Sequence, residues 1–400
     1  MSDRAPRIIF VNRVYWPSTA ATAQLLTDLA EGLAASGWTV QVIAAGTGPE
    51  RQNGVVIHRT GGPDRHGGLV SRAVNYGNFR RAAQRLLGTL VQPGDVVVPM
   101  TDPPLLGSAI TSVVIGRGGR VIPWIQDIYP EILSAHVGAW LGPVLGLMRS
   151  RRNRTWQQAE RCVTLGEDMA QAVRAGHVPA DRIALVPNWA PRELHAPAPA
   201  AAIAARRSAW GVADKFVVAY SGNLGRVHEF DAVIEAAARL KARSDIVFLF
   251  IGTGARFEEV RAAAASRGLD NVRLLPPESR ENLPAALAAA DAHLVTLKPA
   301  FAHLVFPSKL AGVLAVGRPV LFVGPRDGEI ARLLDREQCG VAVEPQEGAK
   351  LADAIAAWRA APGQCAQAGR RARAVYERDF TFAAALTRWA DLLRRPGSGP

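Results

Sequence analysis

The sequence predicts an α/β protein built from two doubly wound domains. Short apolar runs alternate with amphipathic helical patterns along most of the 400 residues, which is typical of βαβ units and parallel sheets. A proline- and alanine-rich stretch at 195–202 interrupts this alternation near the middle of the chain. Because a chain of this length can form two cores, we expect an N-terminal domain over 1–190, a C-terminal domain over 191–375 and a final helical segment over 376–400.

The first half alternates strands and helices in the order that βαβ units require. Residues 21–36 are predicted to form a helix, because Leu25, Leu29 and Leu33 recur on one face. A second helix is expected over 75–90. The predicted strands are 7–12, 39–44, 55–59, 95–99, 120–125, 161–165 and 183–187.

The second half repeats the alternation in a more regular form. The predicted strands are 216–221, 246–251, 272–275, 292–297 and 320–323, and the helices between them are 231–242, 257–267 and 283–290. Residues 349–395 are predicted to be helical. In sheets of this kind ligands bind outside the carboxyl ends of the strands, so the turns that follow the strands are the places to search for a site.

Composition narrows the class of protein and its partners. The hydrophobic fraction is 48% and the charged fraction 20%, as in soluble globular proteins. A net charge of +12 favours anionic partners, but no basic stripe with interleaved aromatic residues indicates nucleic acid. The three cysteines lie far apart, which predicts neither a zinc site nor disulfides. Without an apolar leader or a spanning segment of about 18 residues, we expect a cytoplasmic protein.

The most informative motif is Pro307-Ser308-Lys309-Leu310. Proline suits the start of a helix, and the apolar spacing that follows predicts a short helix. The unpaired N–H groups of its first turn, the positive end of its dipole and the Lys309 ammonium would then converge on one point. This combination predicts a phosphate or diphosphate site.

Glycine-containing turns follow the other strands of the second half. Gly222 follows the strand at 216–221, Gly252 and Gly254 follow the strand at 246–251, and Pro276 follows the strand at 272–275. Glycine at these points either lets the backbone approach a phosphate or provides a positive φ in an ordinary turn. Their placement in register with the Ser-Lys helix favours a nucleotide site. The glycine spacing does not match a dinucleotide fingerprint.

These segments resemble family 4 retaining glycosyltransferases. The matching segments are Ser221-Gly222-Asn223-Leu224-Gly225, Ile251-Gly252-Thr253-Gly254, Pro307-Ser308-Lys309, Gly317-Arg318-Pro319-Val320, Asn188, Tyr15-Trp16-Pro17 and Asp127-Ile128-Tyr129-Pro130-Glu131. The last two resemble a subgroup that builds bacterial surface polysaccharides, similar to colanic-acid and O-antigen L-fucosamine transferases. The resemblance implies the GT-B fold, with two Rossmann-like domains facing a central cleft. It also implies a C-terminal helix that crosses back to the N-terminal domain.

The chain departs from the family pattern in its charged residues. The paired glutamates of the family fall at Leu304 and Gly312, and its phosphate-binding Arg and Lys fall at Asn223 and near His228. We therefore expect Lys309 and Arg226 to bind the diphosphate, and Glu329 or Asp327 to reach the ribose. The full expected nucleotide-sugar site comprises Gly222, Asn223, Leu224, Gly252, Gly254, Pro276, Pro307, Ser308, Lys309, Leu310 and Glu329.

The N-terminal half is expected to bind the acceptor through Tyr15, Trp16, Asp127, Tyr129 and Glu131. Asp127 follows a buried strand, where its carboxylate either orients or deprotonates the acceptor hydroxyl or caps the next helix. Lys309, Arg226 and Asp127 are therefore the expected catalytic residues. No metal or other cofactor is expected, because Lys and Arg would neutralise the leaving diphosphate.

Residues 136–154 combine apolar residues at helical spacing with four arginines at the end. This pattern indicates either an interfacial helix on anionic lipid or a helix packed on the core with a solvated basic end. The first reading predicts a peripheral contact with the inner face of the cytoplasmic membrane.

Together these features predict a retaining transferase that moves a sugar from a UDP-sugar to a lipid-linked or saccharide acceptor in surface polysaccharide synthesis. The resemblance favours UDP and an N-acetylated amino-deoxy sugar, with GDP as the alternative nucleotide. Two other functions stay open on the same fold, a UDP-sugar epimerase or hydrolase and a nucleotide-binding protein without catalysis.

Overall fold

The computed structural model describes residues 7–62, 68–134 and 141–394. The chain forms two compact units. Unit 1 comprises Met1–Pro187, His303–Phe306 and Ala385–Pro400, and unit 2 comprises Asn188–Ala302 and Pro307–Ala384. The division at Pro187 therefore lies slightly before the expected one at 190, and residues 376–384 belong to unit 2.

Unit 1 contains a six-stranded sheet with buried apolar strands at its centre. Its strands are β1 (Ile8–Val11), β2 (Val40–Ala44), β3 (Arg51–Gln52), β4 (Val55–Arg59), β5 (Val96–Pro99) and β6 (Arg120–Val121). They lie in the order β3-β4-β2-β1-β5-β6, and all pairs are parallel except β3 with β4. The chain order therefore reverses between β1 and β5.

A smaller parallel sheet completes unit 1. It contains β7 (Trp124–Ile125), β8 (Cys162–Thr164) and β9 (Ile183–Leu185). The single strand predicted over 120–125 is thus two short strands in different sheets. Pro123 lies between them and cannot donate a ladder hydrogen bond. The helices of the unit are α1 (Ala21–Ala35), α2 (Leu69–Leu90), α3 (Leu106–Gly116), α4 (Glu131–Ser134), α5 (Gly142–Gln158) and α6 (Glu167–Ala175).

Unit 2 is one six-stranded parallel sheet. Its strands are β10 (Phe216–Ser221), β11 (Ile246–Ile251), β12 (Val272–Leu275), β13 (Ala292–Thr296), β14 (Val320–Val323) and β15 (Gly340–Val343). They lie in the order β12-β11-β10-β13-β14-β15, which is the doubly wound Rossmann order with its reversal between β10 and β13. The helices are α7 (Ala200–Ala209), α8 (Asp231–Arg239), α9 (Phe257–Ser266), α10 (Leu283–Ala288), α11 (Lys309–Ala315), α12 (Glu329–Glu337), α13 (Gly348–Ala360), α14 (Pro362–Val375) and α15 (Phe382–Arg394).

Helix α15 begins in unit 2 and ends in unit 1. Its Trp389 is fully buried and contacts two aromatic rings of the N-terminal sheets. The ring centroids lie 6.4 Å from that of Phe10 and 5.2 Å from that of Trp124, both in edge-on geometry. The expected return of the C-terminal helix to the N-terminal domain is confirmed. Within the described ranges, no helix is long and apolar enough to span a membrane.

Candidate functional site

The reversal point of unit 2 holds a cluster in which the half-buried Lys309 contacts two buried side chains. Lys309 opens α11, Tyr220 lies near the end of β10, and His228 follows β10 in the next turn. The Lys309 Nζ atom lies 2.8 Å from Tyr220 Oη and 3.0 Å from His228 Nε2. It also lies 4.5 Å from the centre of the Tyr220 ring, within the range of a cation–π contact. The cluster lies where ligands bind in sheets of this order.

The hydrogen bonds around the cluster fix where its protons are. His228 Nδ1 lies 2.7 Å from the carbonyl oxygen of Thr296, which can only accept, so Nδ1 carries the proton. His228 Nε2 therefore accepts from Lys309. Burial and the nearby Lys309 lower the pKa of His228 to about 3, so its ring is neutral. The Tyr220 hydroxyl donates to the Asn223 carbonyl at 2.9 Å, and its oxygen accepts from Lys309.

Lys309 has neutral partners and no acidic one. Among the described residues no carboxylate lies within hydrogen-bonding distance of its amine. Burial lowers the pKa of Lys309 from 10.5 to about 7. A half-buried amine without a counter-ion is arranged to receive an anion, because the anion would provide the missing charge. The Lys309 cluster, defined as Lys309, Tyr220 and His228, therefore has a geometry that suits an anion.

The glycines of the two neighbouring turns hold those turns against each other. A Cβ atom on Gly252 would lie 2.0 Å from the Gly222 carbonyl oxygen, and one on Gly254 would lie 2.6 Å from the Leu224 nitrogen. Both glycines have φ above +130°. Leu224 N–H also donates to the Thr253 carbonyl at 2.7 Å. The structure therefore gives Gly252 and Gly254 a packing role, whereas we expected them to line the nucleotide.

Gly222 packs directly against the Lys309 side chain. Its φ is +125°, and a Cβ atom there would lie 3.5 Å from Lys309 Cε. Leu224 and Leu310 are fully buried, so their side chains pack in the core and only their backbone could meet the nucleotide-sugar for which these residues were expected. Pro307 is also buried. These apolar residues hold the turn and α11 in place.

Four of the residues that we expected at the donor site are exposed to solvent. Asn223 and Arg226 follow β10, Pro276 follows β12, and Ser308 precedes α11. The structure does not bring Arg226 into hydrogen-bonding contact with the Lys309 cluster. Glu329, half-buried, opens α12 after β14. The four exposed positions and the half-buried Glu329 all follow strands or open helices, so each is at least partly accessible to a ligand.

Unit 1 has an ion pair at its own reversal point, which our sequence analysis missed. Arg13 follows β1 and Asp102 follows β5. The Arg13 Nε and Nη2 atoms donate to the two carboxylate oxygens at 3.1 and 2.9 Å, and Arg13 N–H donates to the Asp102 carbonyl at 2.8 Å. The Arg13 guanidinium also lies 5.6 Å from the centre of the Tyr76 ring. One indication of this pair was available in the sequence, because each residue closely follows a predicted strand and ligands bind near such strand ends.

Asp127 lies beside this ion pair after β7. Burial, and secondarily the Asp102 charge, raise the pKa of Asp127 to about 6. Its carboxylate makes no hydrogen bond within the described part of the chain. Helix α4 begins at Glu131 directly after Pro130, so the capping alternative for Asp127 is wrong. A raised pKa and an unpaired carboxylate suit a group that exchanges a proton.

Asp127 also lies against a segment from the second half of the chain. Residues 303–306 belong to unit 1. Val305 forms an antiparallel bridge with Asp127, and Ile128 N–H donates to the Leu304 carbonyl at 2.9 Å. A cavity of about 40 Å³ adjoins Asp127 and Tyr129. Because one water needs about 15 Å³ by this measure, the cavity has room for water beside the Asp127 carboxylate.

Two other expected acceptor contacts are corrected by the structure. Tyr15 is only 2% exposed, so its ring packs in the interior and cannot stack on a sugar. Glu131 accepts hydrogen bonds from Arg149 at 2.8 Å and Arg152 at 2.5 Å, so its carboxylate anchors α5. Trp16 and Tyr129 are half-buried, and burial raises the pKa of the Tyr129 hydroxyl.

No group of three or more metal-ligating side chains occurs within the described ranges. Lys309, Arg226 and Arg256 are cations near the expected donor site. These observations do not test whether the reaction uses a metal, so the expectation of a reaction without metal stays a prediction.

Two family profiles match the chain. The profile described as "Glycosyl transferases group 1" matches residues 204–375. The profile described as "Glycosyl transferase 4-like domain" matches residues 21–189. Among curated proteins, WcaI of Escherichia coli (strain K12) carries the name of a colanic acid biosynthesis glycosyl transferase. It is 33% identical over 57% of both chains. WbjE of Pseudomonas aeruginosa, named as a glycosyltransferase, is 27% identical over 66% of this chain and 65% of its own. The match thus spans less than two thirds of either relative.

Solved structures share the fold over the whole length. Sucrose-phosphate synthase from Thermosynechococcus elongatus superposes with a TM-score of 0.78 at 18% identity, covering 98% of both chains. Anabaena Alr3699/HepE in complex with UDP gives 0.75 at 15% identity, covering 97% and 99%. WaaG, a glycosyltransferase involved in lipopolysaccharide biosynthesis, gives 0.72 at 16%, covering 97% and 100%. The chain is therefore a glycosyltransferase of the GT-B fold, with a glycosyl transferase 4-like domain over 21–189 and a glycosyl transferases group 1 domain over 204–375.

Proposed function

We propose that the protein transfers a sugar from a UDP-sugar to a lipid-linked or saccharide acceptor, with retention, in bacterial surface polysaccharide synthesis. The observation that carries this proposal is the Lys309 amine, held without a counter-ion at the reversal point of the unit 2 sheet. The fold neighbour HepE binds UDP and UDP-glucose, which supports UDP as the nucleotide. The names of WcaI and WaaG support a polysaccharide or lipopolysaccharide product.

The chemistry needs positive charge where the leaving group develops negative charge. In a retaining transfer the sugar becomes oxocarbenium-like while the diphosphate leaves, so preorganised donors at the diphosphate lower the barrier. Lys309 provides a fixed N–H donor there, and exposed Arg226 and Ser308 lie on neighbouring turns. We propose that Glu329 binds the ribose hydroxyls, which unchanged UDP affinity in Glu329→Ala would contradict.

A transfer assay tests the proposal directly. The protein is incubated with UDP-N-acetyl amino sugars, UDP-glucose and GDP-sugars, with and without polyprenyl diphosphate-linked sugars and free saccharides. We expect UDP release and a larger saccharide that require both donor and acceptor. Free sugar released without acceptor would indicate a hydrolase, an altered UDP-sugar would indicate an epimerase, and bound but unconverted donor would indicate a binding protein. Each of these three results would contradict the proposal.

Asp127 is proposed to orient or deprotonate the acceptor hydroxyl. A base must be ionised, and the pKa of Asp127 is about 6. We therefore expect kcat/KM to fall as the pH drops below about 6 and to be constant just above that value. Asp127→Asn should lower kcat/KM by about 10²–10⁴-fold and abolish the acidic limb of the profile. An exposed control, Asp353→Asn, should leave the profile unchanged. A profile that keeps its acidic limb in Asp127→Asn would contradict this role.

The exposed start of α5 is proposed to contact an anionic membrane. Val144 and Leu147 are 54% and 55% exposed, and exposed Arg151 and Arg154 follow on the same helix. Apolar side chains next to cations suit the surface of an anionic bilayer. Arg152 does not share this role, because it is buried against Trp156 and bonded to Glu131. Residues 136–140 of the predicted segment lie outside the described residues.

Vesicle co-sedimentation tests the membrane proposal. Wild type should bind vesicles that contain anionic lipid more strongly than neutral vesicles, and Arg151→Glu with Arg154→Glu should weaken that binding. Each removed charge is worth about 1 kcal/mol near such a surface. Arg370→Glu with Arg371→Glu, which reverses two exposed charges on α14, serves as the matched control. Equal binding by both double variants and wild type would remove the proposal.

A further inference from the structure

The Lys309 amine has two hydrogen-bond acceptors for its protons. An ammonium group has three N–H donors and a neutral amine has two. Tyr220 Oη and His228 Nε2 accept one bond each. The neutral amine therefore satisfies both partners completely, whereas the ammonium form has a third N–H that needs another acceptor. Within the described residues, no protein group accepts that third N–H.

The surrounding groups do not compensate a charge on Lys309. Tyr220, on β10, is fully buried and donates its own proton to the Asn223 carbonyl. His228 uses its single proton on the Thr296 carbonyl. Arg256, which precedes α9, donates to the His228 carbonyl at 2.6 Å and adds positive charge nearby. Helix α11 carries no other titratable residue than Lys309 itself.

The nearest carboxylate on the turn after β10 is engaged elsewhere. Glu229 accepts hydrogen bonds from the N–H groups of Phe230 and Asp231 and lies 3.8 Å from Arg256. It makes no contact with the Lys309 amine. The neutral surroundings agree with the pKa of Lys309 near 7. A diphosphate oxygen at the free position would provide both the missing acceptor and the missing charge.

We propose that binding of a nucleoside diphosphate at the Lys309 cluster takes up one proton onto the Lys309 amine, and that His228 is the positioning residue for that amine. The inference rests on the proposed function of this site. In the bound state the ammonium donates to Tyr220, His228 and a diphosphate oxygen. His228 acts through Lys309 as a neutral acceptor, since its own proton is fixed on Thr296.

Proton uptake gives the binding reaction a defined pH dependence. Above about pH 7 the terminal phosphate of UDP is fully ionised, so changes in affinity then report on the protein. Free Lys309 loses its proton as the pH rises through about 7. Affinity for UDP should therefore fall by up to tenfold per pH unit above that value. The fall should end where the amine in the complex also loses its proton.

Isothermal titration of the full chain with UDP at pH 8 measures the uptake. The same titration in triethanolamine and in Tris, whose ionisation heats differ and which add no phosphate, gives the number of protons exchanged per UDP. We expect uptake of about 0.9 proton in wild type, as a pKa near 7 implies. Lys309→Met should exchange close to none. If wild type binds UDP with equal heats in both buffers, no proton is taken up and the proposal is overturned. The nucleotide site itself would not be contradicted by that result.

Two substitutions of His228 separate positioning from a structural role. His228→Leu removes the acceptor, so UDP affinity at pH 7.5 should fall at least tenfold, and the pH at which affinity declines should move lower. His228→Gln keeps an acceptor oxygen and should recover most of both effects. The positioning role would be overturned if His228→Leu lowered UDP affinity by the same factor at every pH. In that case the number of protons taken up per UDP and the pH at which affinity declines would both equal those of wild type. Circular dichroism confirms that both variants fold.

The same titrations separate this proposal from the proposed function. GDP carries the same diphosphate and should exchange the same number of protons if it binds. Failure of both UDP and GDP to bind wild type would overturn the nucleotide site itself, and this proposal with it. Binding without proton exchange would overturn this proposal alone.

Discussion

Lys309→Ala is expected to lower turnover by about 10²–10³-fold while the protein stays folded. Removal of one preorganised donor from a developing negative charge typically has an effect of this size. Lys309 is the donor that the structure fixes most firmly, through Tyr220 and His228. The fold should survive, because Leu310 and Val313 hold α11 in the core.

The measurement is kcat with saturating donor and acceptor, together with thermal unfolding of each variant. Lys350→Ala is the matched control, since Lys350 is exposed and pairs with Glu347 three residues earlier on the chain. That variant should keep wild-type turnover, because exposed ion pairs contribute little. Near-normal turnover in folded Lys309→Ala would contradict the mechanism.

Gly252→Ala is expected to destabilise the protein by about 3 kcal/mol or more. The new Cβ atom would lie 2.0 Å from the Gly222 carbonyl oxygen, and φ at this position is +151°. A sparsely populated backbone conformation costs an L-residue about 1–3 kcal/mol, and forcing atoms into a packed site adds about 1–3 kcal/mol. Because Gly222 backs the Lys309 side chain, UDP affinity should fall as well.

Urea unfolding of Gly252→Ala against Gly363→Ala checks this expectation. Gly363 lies in α14, and a Cβ atom there meets no other atom within 4 Å. Alanine at that helical position should be neutral or stabilising by up to about 1 kcal/mol. Equal midpoints for the two variants would show that the turns after β10 and β11 are not closely packed.

The strands of unit 2 were predictable because parallel strands buried on both faces are continuous apolar runs. The bounds expected for 216–221, 246–251, 272–275 and 320–323 agree with β10, β11, β12 and β14. Strand β15 was missed because Gly340–Val343 is short and only partly buried. The two-residue β3 was missed because Arg51 and Gln52 carry no apolar signal.

The candidate site was predictable where chemistry lies in one local motif. The Ser-Lys motif pointed to Lys309, but not to its partners, because Tyr220 reads as part of an apolar strand and His228 lies 81 positions away. Arg13 and Asp102 are 89 positions apart and meet only when β1 and β5 pair. The acceptor assignments of Tyr15 and Glu131 were wrong because burial and ion pairing depend on tertiary packing.

The central claim is that a nucleoside diphosphate binds at the Lys309 cluster, and thermal unfolding with nucleotides tests it most directly. Wild type and Lys309→Ala are heated with UDP, GDP, dTDP, ADP and NAD at equal millimolar concentrations. A ligand at about 100 times its dissociation constant adds about 2.7 kcal/mol, which is a readable shift. We predict stabilisation of wild type by UDP, and its loss in Lys309→Ala. Stabilisation by NAD alone, by no nucleotide, or equally in both proteins would contradict the claim.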